Sequence, residues 1–317
     1  MADAFLTLSD LTTINDANLA DRDISDLLDD APLLASLAAD VVPGTDHKYV
    51  KETAAPVVGF RAVGDGLENT ASSDTLVTIN LKILDASFAI DKALADAYLG
   101  GPEAYIGREA ARHLKSAFFH AEKQILSGTG NEADGYNGLP DDGNLNAIAD
   151  DMVISAGGTT ASTGSSCWAI RSSGDMNDAV VITGDGGKID IGESVVQRLS
   201  GSSTGSYPAY YTPISAWMGL QVGGKYSVGR LTNVTADSGA TMSDSHLAEL
   251  LGVFPAGRGP SYLVMSRRSL KQLQQSRTAT NATGAPAPFP SEAFGVPIIV
   301  SDGVSDVETL EIGRAHV

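Results

Sequence analysis

A single cysteine, Cys167, stands in the 317 residues. It excludes an internal disulfide, and so sparing a use of thiols fits a reducing cytosol. No apolar run approaches the roughly 20 residues of a membrane-spanning helix. The first twenty residues are acidic, unlike a secretory leader, so the sequons Asn233–Thr235 and Asn281–Thr283 carry no glycosylation meaning. Metal and phosphate motifs are missing too. There is no HExxH and no CxxC, and GDGGK (residues 184–188) lacks the spacing and the hydroxyl residue of a P-loop. Asp185, Asp190 and Glu193 miss the EF-hand spacing and read as a turn between strands. Basic residues are few: 21 Lys and Arg face 39 Asp and Glu, a formal charge of −18. That balance excludes a protein that grips phosphate by counterion release. It does not exclude a place beside nucleic acid, since a surface that leaves DNA mobile is acidic.

What is present is a globular composition, 43% hydrophobic with 34 glycines. The length allows two modest cores, and the abundant Gly, Ser, Thr and Asp imply many turns and a large β component. The strongest single signal is Pro102 to Gly128. Gly100 and Gly101 break the chain before it, and Pro102 suits a first helical position. Ile106, Ala110, Leu114, Ala117, Phe118, Ala121 and Ile125 recur at helical spacing, and Gly128 suits a left-handed stop. The spacing predicts one helix over 102–127, on the order of 37 Å long. With one apolar stripe it must lie against a sheet or another layer.

Residues 1–44 are acidic and helix-compatible. Ile24, Leu27, Leu28, Leu33, Leu34 and Leu37 form apolar stripes interrupted at Pro32. The segment reads either as an ordinary amphipathic helix or as an arm whose partner surface lies on a neighbouring subunit; so short a piece cannot bury itself alone. From His47 to Asp91 the period becomes two. HKYVKETA and APVVGFRAVG lead out, and TLVTINLKILDASFAIDK returns with Val77, Ile79, Leu81 and Ile83 on one face. A phase slip near Leu84–Asp85 predicts a bulge. Residues 64–74 (GDGLENTASSD) form the tip, and the whole reads as a long projecting hairpin, which in isolation is marginal in water.

After a loop, residues 165–235 are β-rich. Ser243–Phe254 is predicted helical with Leu247, Leu250, Leu251 and Phe254 on one face. Tyr262–Met265 reads as a strand, Ser266–Ser276 as a capped helix, 277–291 as a loop and Pro297–Val300 as a buried strand. This alternation predicts a small α/β unit separate from the long helix and its sheet. The last seven residues, EIGRAHV, look like translated adapter sequence. They are set aside, and the natural chain is expected to continue differently beyond about Leu310.

Candidate chemistry is thin. His113 and His120 share a face of the long helix and could recruit Glu109 or Glu122 for a metal, but they read as two helix-surface histidines. The acids of DDGNLNAIADD (141–151) read as a solvated loop rather than a weak cation site. Cys167 lacks a basic neighbour that would activate it, and Ser266 and Ser269 lack a nearby histidine. Arg108, Arg112 and Lys115 form a basic stripe at i, i+4, i+7. It is either a solvated face paired with Glu109 and Glu122, or a docking strip for an acidic arm, the chain's own or a neighbour's.

The order of these parts resembles the major capsid protein of tailed bacteriophages, with its Hong Kong 97-type (Johnson) fold. Residues 1–44 look like the N-terminal arm, 45–92 the E-loop, and 102–127 the spine helix. GTGN…NGL resembles the family's exit from that helix. WAIRSS…YYTPISAWMGLQVGGKYSVGRLTNV is similar to the peripheral-domain sheet of one capsid subgroup, and LAELLGVFP, SYLVMSRRSLKQL and FGVPIIVSD to the axial domain. The resemblance implies an α+β fold with residues 93–235 mainly the peripheral (P) domain, 236–305 mainly the axial (A) domain and 306–317 the C-terminal end. It implies a non-enzymatic, cofactor-free shell protein forming pentamers and hexamers. A separate scaffolding protein, a portal and packaged double-stranded DNA without sequence-specific contacts would be its partners, with no membrane. Its place would be the virion capsid, after assembly in the host bacterial cytoplasm. Gly64, Asp65, Gly66, Leu67, Glu68 and Asn69 at the hairpin tip, with Arg108, Arg112 and Lys115, are the candidate interface residues. The lysine and asparagine that weld some shells of this fold have no match here. An encapsulin-like compartment and, more distantly, a soluble cytosolic enzyme are the alternatives.

Overall fold

The computed structural model describes residues 27–54, 56–68, 71–141, 150–175, 177–200, 205–281 and 285–310. The expectations for residues 1–26, for most of the acidic loop 141–151 and for the terminal EIGRAHV lie outside them. In chain order the elements are α1 (Pro32–Ser36), β1 (Ala38–Val41), β2 (Asp46–Ala54), β3 (Ser73–Asn80), β4 (Lys82–Asp85), β5 (Phe88–Asp91), α2 (Lys92–Asp96) and α3 (Gly101–Ser127). There follow β6 (Val153–Ser155), β7 (Ser165–Ile170), β8 (Ala179–Thr183), β9 (Ile189–Ile191), β10 (Val195–Ser200), β11 (Ser206–Thr212), β12 (Ile214–Val222) and β13 (Val228–Val234). The chain closes with α4 (Asp244–Gly252), β14 (Tyr262–Met265), α5 (Arg267–Ala279), β15 (Glu292–Ala293) and β16 (Val296–Val300).

Helix α3 spans 27 residues, about 40 Å. Its apolar stripe is buried from Ala110 through Ala117, Phe118 and Ala121 to Ile125, while Ile106 near its start is half-buried. At its end Gly128 turns at φ +55 and the chain folds back on the helix. Leu139 N–H donates to Ile125 O (2.8 Å) and the Gln124 side chain donates to Tyr136 O (2.8 Å). Gly138 passes so close that an added Cβ would lie 2.4 Å from Gln124 O, so only glycine fits this return.

Among the described residues the strands form four sheets. One runs β1-β8-β12-β4 with β9 also on β12; another is β10-β11-β5; a six-stranded one runs β15-β16-β14-β7-β13-β6; the fourth is the hairpin β2-β3. The run expected to be one strand with a bulge, residues 75–92, is three strands in three sheets. β3 pairs with β2, β4 with β12, and β5 with β11. At the expected bulge Asp85 accepts from Ser87 N–H and Ala86 N–H donates to Ile214 O, which redirects the chain. Leu81 is buried, but Ile83 is exposed because β4 faces a different neighbour from β3. The predicted second strand of the outgoing arm, APVVGFRAVG, forms no extended strand; residues 56–68 are all exposed.

Two further expectations need correction. The α/β unit of β14, α5 and β16 takes in earlier strands than expected, since β14 pairs antiparallel with β7 and β7 with β13, so one sheet joins residues on both sides of position 235. Strand β16 is half-buried, not buried, because it carries only the two-residue β15 on its outer side.

Residues 27–42 do not wait for a neighbouring subunit. Leu27, Leu28, Leu33, Leu34 and Leu37 are buried in the chain's own core, and β1 adds in parallel to β8. The hydrophobic gain at five leucines, about 1.5–3 kcal/mol each, outweighs the shortness of α1. Helix α1 has no side-chain cap of its own. Glu122 of α3 supplies one, accepting from Leu34 N–H at 3.0 Å while Ser301 donates to its other oxygen.

Candidate assembly surfaces

Residues that could do chemistry do not converge. Among the described residues no group of His, Cys, Asp and Glu could hold a metal, and no helix is long and apolar enough to cross a membrane. His113 stacks on Phe88 at 4.8 Å, while His120 lies 2.7 Å from Glu132. Glu122, expected on the solvated face, is fully buried against α1 and Ser301, and burial raises its pKa above the ordinary carboxylate value. Burial pushes the Cys167 thiol up to about 12, which leaves it inert. Ser266 caps α5 by accepting from Ser269 N–H and donates to Asp306 at 2.6 Å, a structural assignment for both serines.

What the chain does present is a ribbon fixed at its root and bare at its tip. Tyr49 and Lys51 alternate with exposed Val50 along β2, so both face inward, and both donate to Val222 O at 3.1 Å. Burial pushes Lys51 down to about 8 and Tyr49 up to about 12. Away from this root, Phe60 and Val63 are fully exposed and Val57 and Val58 largely so. The candidate residues Gly64, Asp65, Gly66, Leu67 and Glu68 continue the same exposed stretch, and Asn69 lies outside the described residues. Arg61 donates to Asp65 O at 3.3 Å, which bends the tip on itself. Several large apolar side chains in water on an isolated ribbon mark a surface that another molecule covers.

The other candidate group lies on α3, and its three cations are not equivalent. Lys115 Nζ sits 3.1 Å from Asp30, so it reaches the chain's own N-terminal segment. Arg112 pairs with Glu109 at 2.7 Å. Arg108 lies 3.6 Å from the same Glu109, with its guanidinium 5.3 Å from the Tyr98 ring and 5.2 Å from the Tyr105 ring. Its Nε is shut off from solvent and bonds to no atom among the described residues. Beside it opens a groove of about 830 Å³, lined by Tyr98, Ile106, Arg108, Ala110, Ile191 and Tyr210 among others. The groove separates the first half of α3 from strands β9 and β11, and exposed Leu99 stands next to Tyr98.

Sequence reasoning missed Lys51, Glu122 and the aromatic bracket around Arg108. The first two had a signal. Lys51 falls on the inward phase of a period-two strand, and Glu122 falls four after Phe118 and three before Ile125 on the apolar stripe. The bracket of Tyr98 and Tyr105 had none, because the turn at Gly100–Gly101 brings those rings together.

The family model for major capsid protein GP7 matches residues 23–253. No curated protein matches the chain. Among solved structures, a chain from the near-atomic structure of bacteriophage Epsilon15 is 17% identical, with 98% of each chain covered and a TM-score of 0.58. A chain from the procapsid of bacteriophage JBD30 is 12% identical over 92% of this chain and 98% of its own, with a TM-score of 0.44. The holo-SrpI encapsulin complex from Synechococcus elongatus PCC 7942 supplies one that is 11% identical over 64% and 87%, with a TM-score of 0.41.

The mixed α+β fold of the Hong Kong 97 type and the match to a capsid-protein family define a structural shell protein. The chain belongs to the major capsid protein GP7 family, and copies of it assemble into the virion's shell.

Proposed function

We propose that this chain builds the icosahedral head of a tailed bacteriophage around double-stranded DNA, as pentamers and hexamers assembled in the host bacterial cytoplasm. Residues 45–92 serve as the E-loop, α3 as the spine of the peripheral domain, and residues 1–44 as the arm. Residues 236–305 form the axial domain, and the shared six-stranded sheet supports adding β6, β7 and β13 to it. The partners are a separate scaffolding protein and a portal. Contact with DNA is not sequence-specific, and a formal charge of −18 suits a wall that repels packed phosphate.

The observation that carries this reading is the hairpin, paired along β2–β3 and anchored at Val222, yet exposing Phe60 and Val63 at its tip. In a shell, a neighbouring copy covers those side chains. Many such contacts can each be weak, because closure makes them act together. Deleting residues 62–75 is expected to leave a soluble, folded chain that forms no particles by negative-stain microscopy. Normal particles from that deletion would refute the E-loop assignment.

A further inference from the structure

The groove beside the first half of α3 has apolar walls and a cationic edge. Tyr98, Ile106, Ala110 and Ile191 line it. At its edge Arg108 and Arg112 share the single carboxylate Glu109, one cation in excess. Glu103, which also lines the groove, sits in the first turn of α3, where the helix N-terminus already matches its charge. Two rings hold the Arg108 guanidinium flat, which keeps its planar fork ready for a carboxylate. A cleft of about 830 Å³ with these walls suits an apolar peptide segment that carries carboxylates.

The course of the N-terminal segment points at this groove. Leu34 N–H meets Glu122, and four residues earlier Asp30 meets Lys115 at 3.1 Å, so backward along the chain the segment travels along α3 toward the start of the helix. Arg112 and Arg108 come next, roughly 4.5 and 10 Å further along the axis at the helical rise, and Pro102 at the far end of the groove is about 20 Å away. About six or seven extended residues span that distance. Residues 10–26 carry Asp10, Asp16, Asp21, Asp23 and Asp26 against one cation, Arg22, with Leu11, Ile14, Leu19 and Ile24 between them. We infer that residues 10–26 lie in the α3 groove of their own chain, with aspartates facing Arg108 and Arg112 and the apolar side chains filling the cleft. A tethered segment is present at high effective concentration, so in dilute solution it outcompetes the same segment of a second copy. The contact is made within one chain and does not rest on the shell reading.

A thiol placed in the groove tests this directly, since the chain's own Cys167 is buried and silent. A Cβ at Gly107, which lines the groove, would meet nothing within 4 Å, so Gly107→Cys leaves the fold intact. In dilute, unassembled chain the rate at which a maleimide labels this thiol reports whether the groove is covered. Deleting residues 2–24, which precede buried Leu27, is expected to speed labelling at least tenfold while the melting temperature stays as before. The slow rate in the full chain is expected to hold over a hundredfold range of protein concentration, as it must when the occupant belongs to the same molecule. Arg112→Glu is expected to raise the rate at least threefold, and adding Asp23→Lys/Asp26→Lys to return it to the starting value. Labelling that is equally fast with and without residues 2–24, or charge reversals that leave the rate unchanged, overturn the inference. Protection that grows with concentration overturns it too, and gives the groove to a second copy. The shell reading survives all three results, because it is judged by the particles the parent chain forms.

Discussion

Glu122 is an acid on the apolar side of a helix, and its position explains how the N-terminal segment is held. Its carboxylate caps α1 and takes the Ser301 hydroxyl, so a single side chain joins the start, the middle and the end of the chain. Desolvation raises its pKa, and the hydrogen bonds from Ser301 and the backbone of Leu33 and Leu34 only partly offset it. The folded state therefore binds this proton more tightly than the unfolded state does. The stability Glu122 contributes is fully present below the unfolded value of about 4.3 and is lost as pH rises through the raised value. Glu122→Gln keeps an acceptor for Leu34 N–H and cannot ionise. Denaturant unfolding of both proteins is expected to show the glutamine variant gaining on the parent from pH 4 upward, until the parent's carboxyl is fully ionised. A difference that stays constant with pH would show that the carboxyl does not titrate in the fold.

Helix α3 was legible from its residues alone, because stop signals at both ends and one stripe at a period near 3.6 all agree, and the helix read over 102–127 forms over Gly101–Ser127. Its buried side was legible for the same reason. Leu114→Ala and Phe118→Ala are each expected to lower unfolding free energy by about 2–5 kcal/mol in denaturant titration, as both side chains lie within the core. A loss below about 1 kcal/mol would mean the cavity collapses without cost. The strands were harder to read. Residues 75–92 have one alternating pattern, yet β3, β4 and β5 answer to three different partners, and alternation records which side is buried but not against what. Strand β1 was invisible, since four residues of ADV type become a strand only because β8 offers a free edge. The hairpin tip was half legible. Glycines and polar residues at 64–74 announced a turn, but Val57, Val58, Phe60 and Val63 read as strand because in sequence an apolar side chain awaiting a partner copy looks like one awaiting its own core.

The whole molecule adds a constraint that single residues do not show, for copies carrying a formal charge of −18 must pack side by side. An exposed ion pair between neighbouring copies contributes about 0–1 kcal/mol. Repulsion between the remaining charges acts over every contact at once and extends about a Debye length, roughly 10 Å at 0.1 M salt and 3 Å at 1 M. The second effect is the larger, so screening should favour the shell even though it weakens its individual ion pairs. Apolar burial of the exposed Phe60 and Val63 by a neighbouring copy is not screened and holds the contact at high salt. The threshold concentration for particle formation, followed by light scattering, is therefore expected to fall as sodium chloride rises from about 0.05 to 0.5 M. A threshold that climbs with salt would mean that local charge pairing outweighs the net repulsion, and that the apolar tip is not the main source of adhesion between copies.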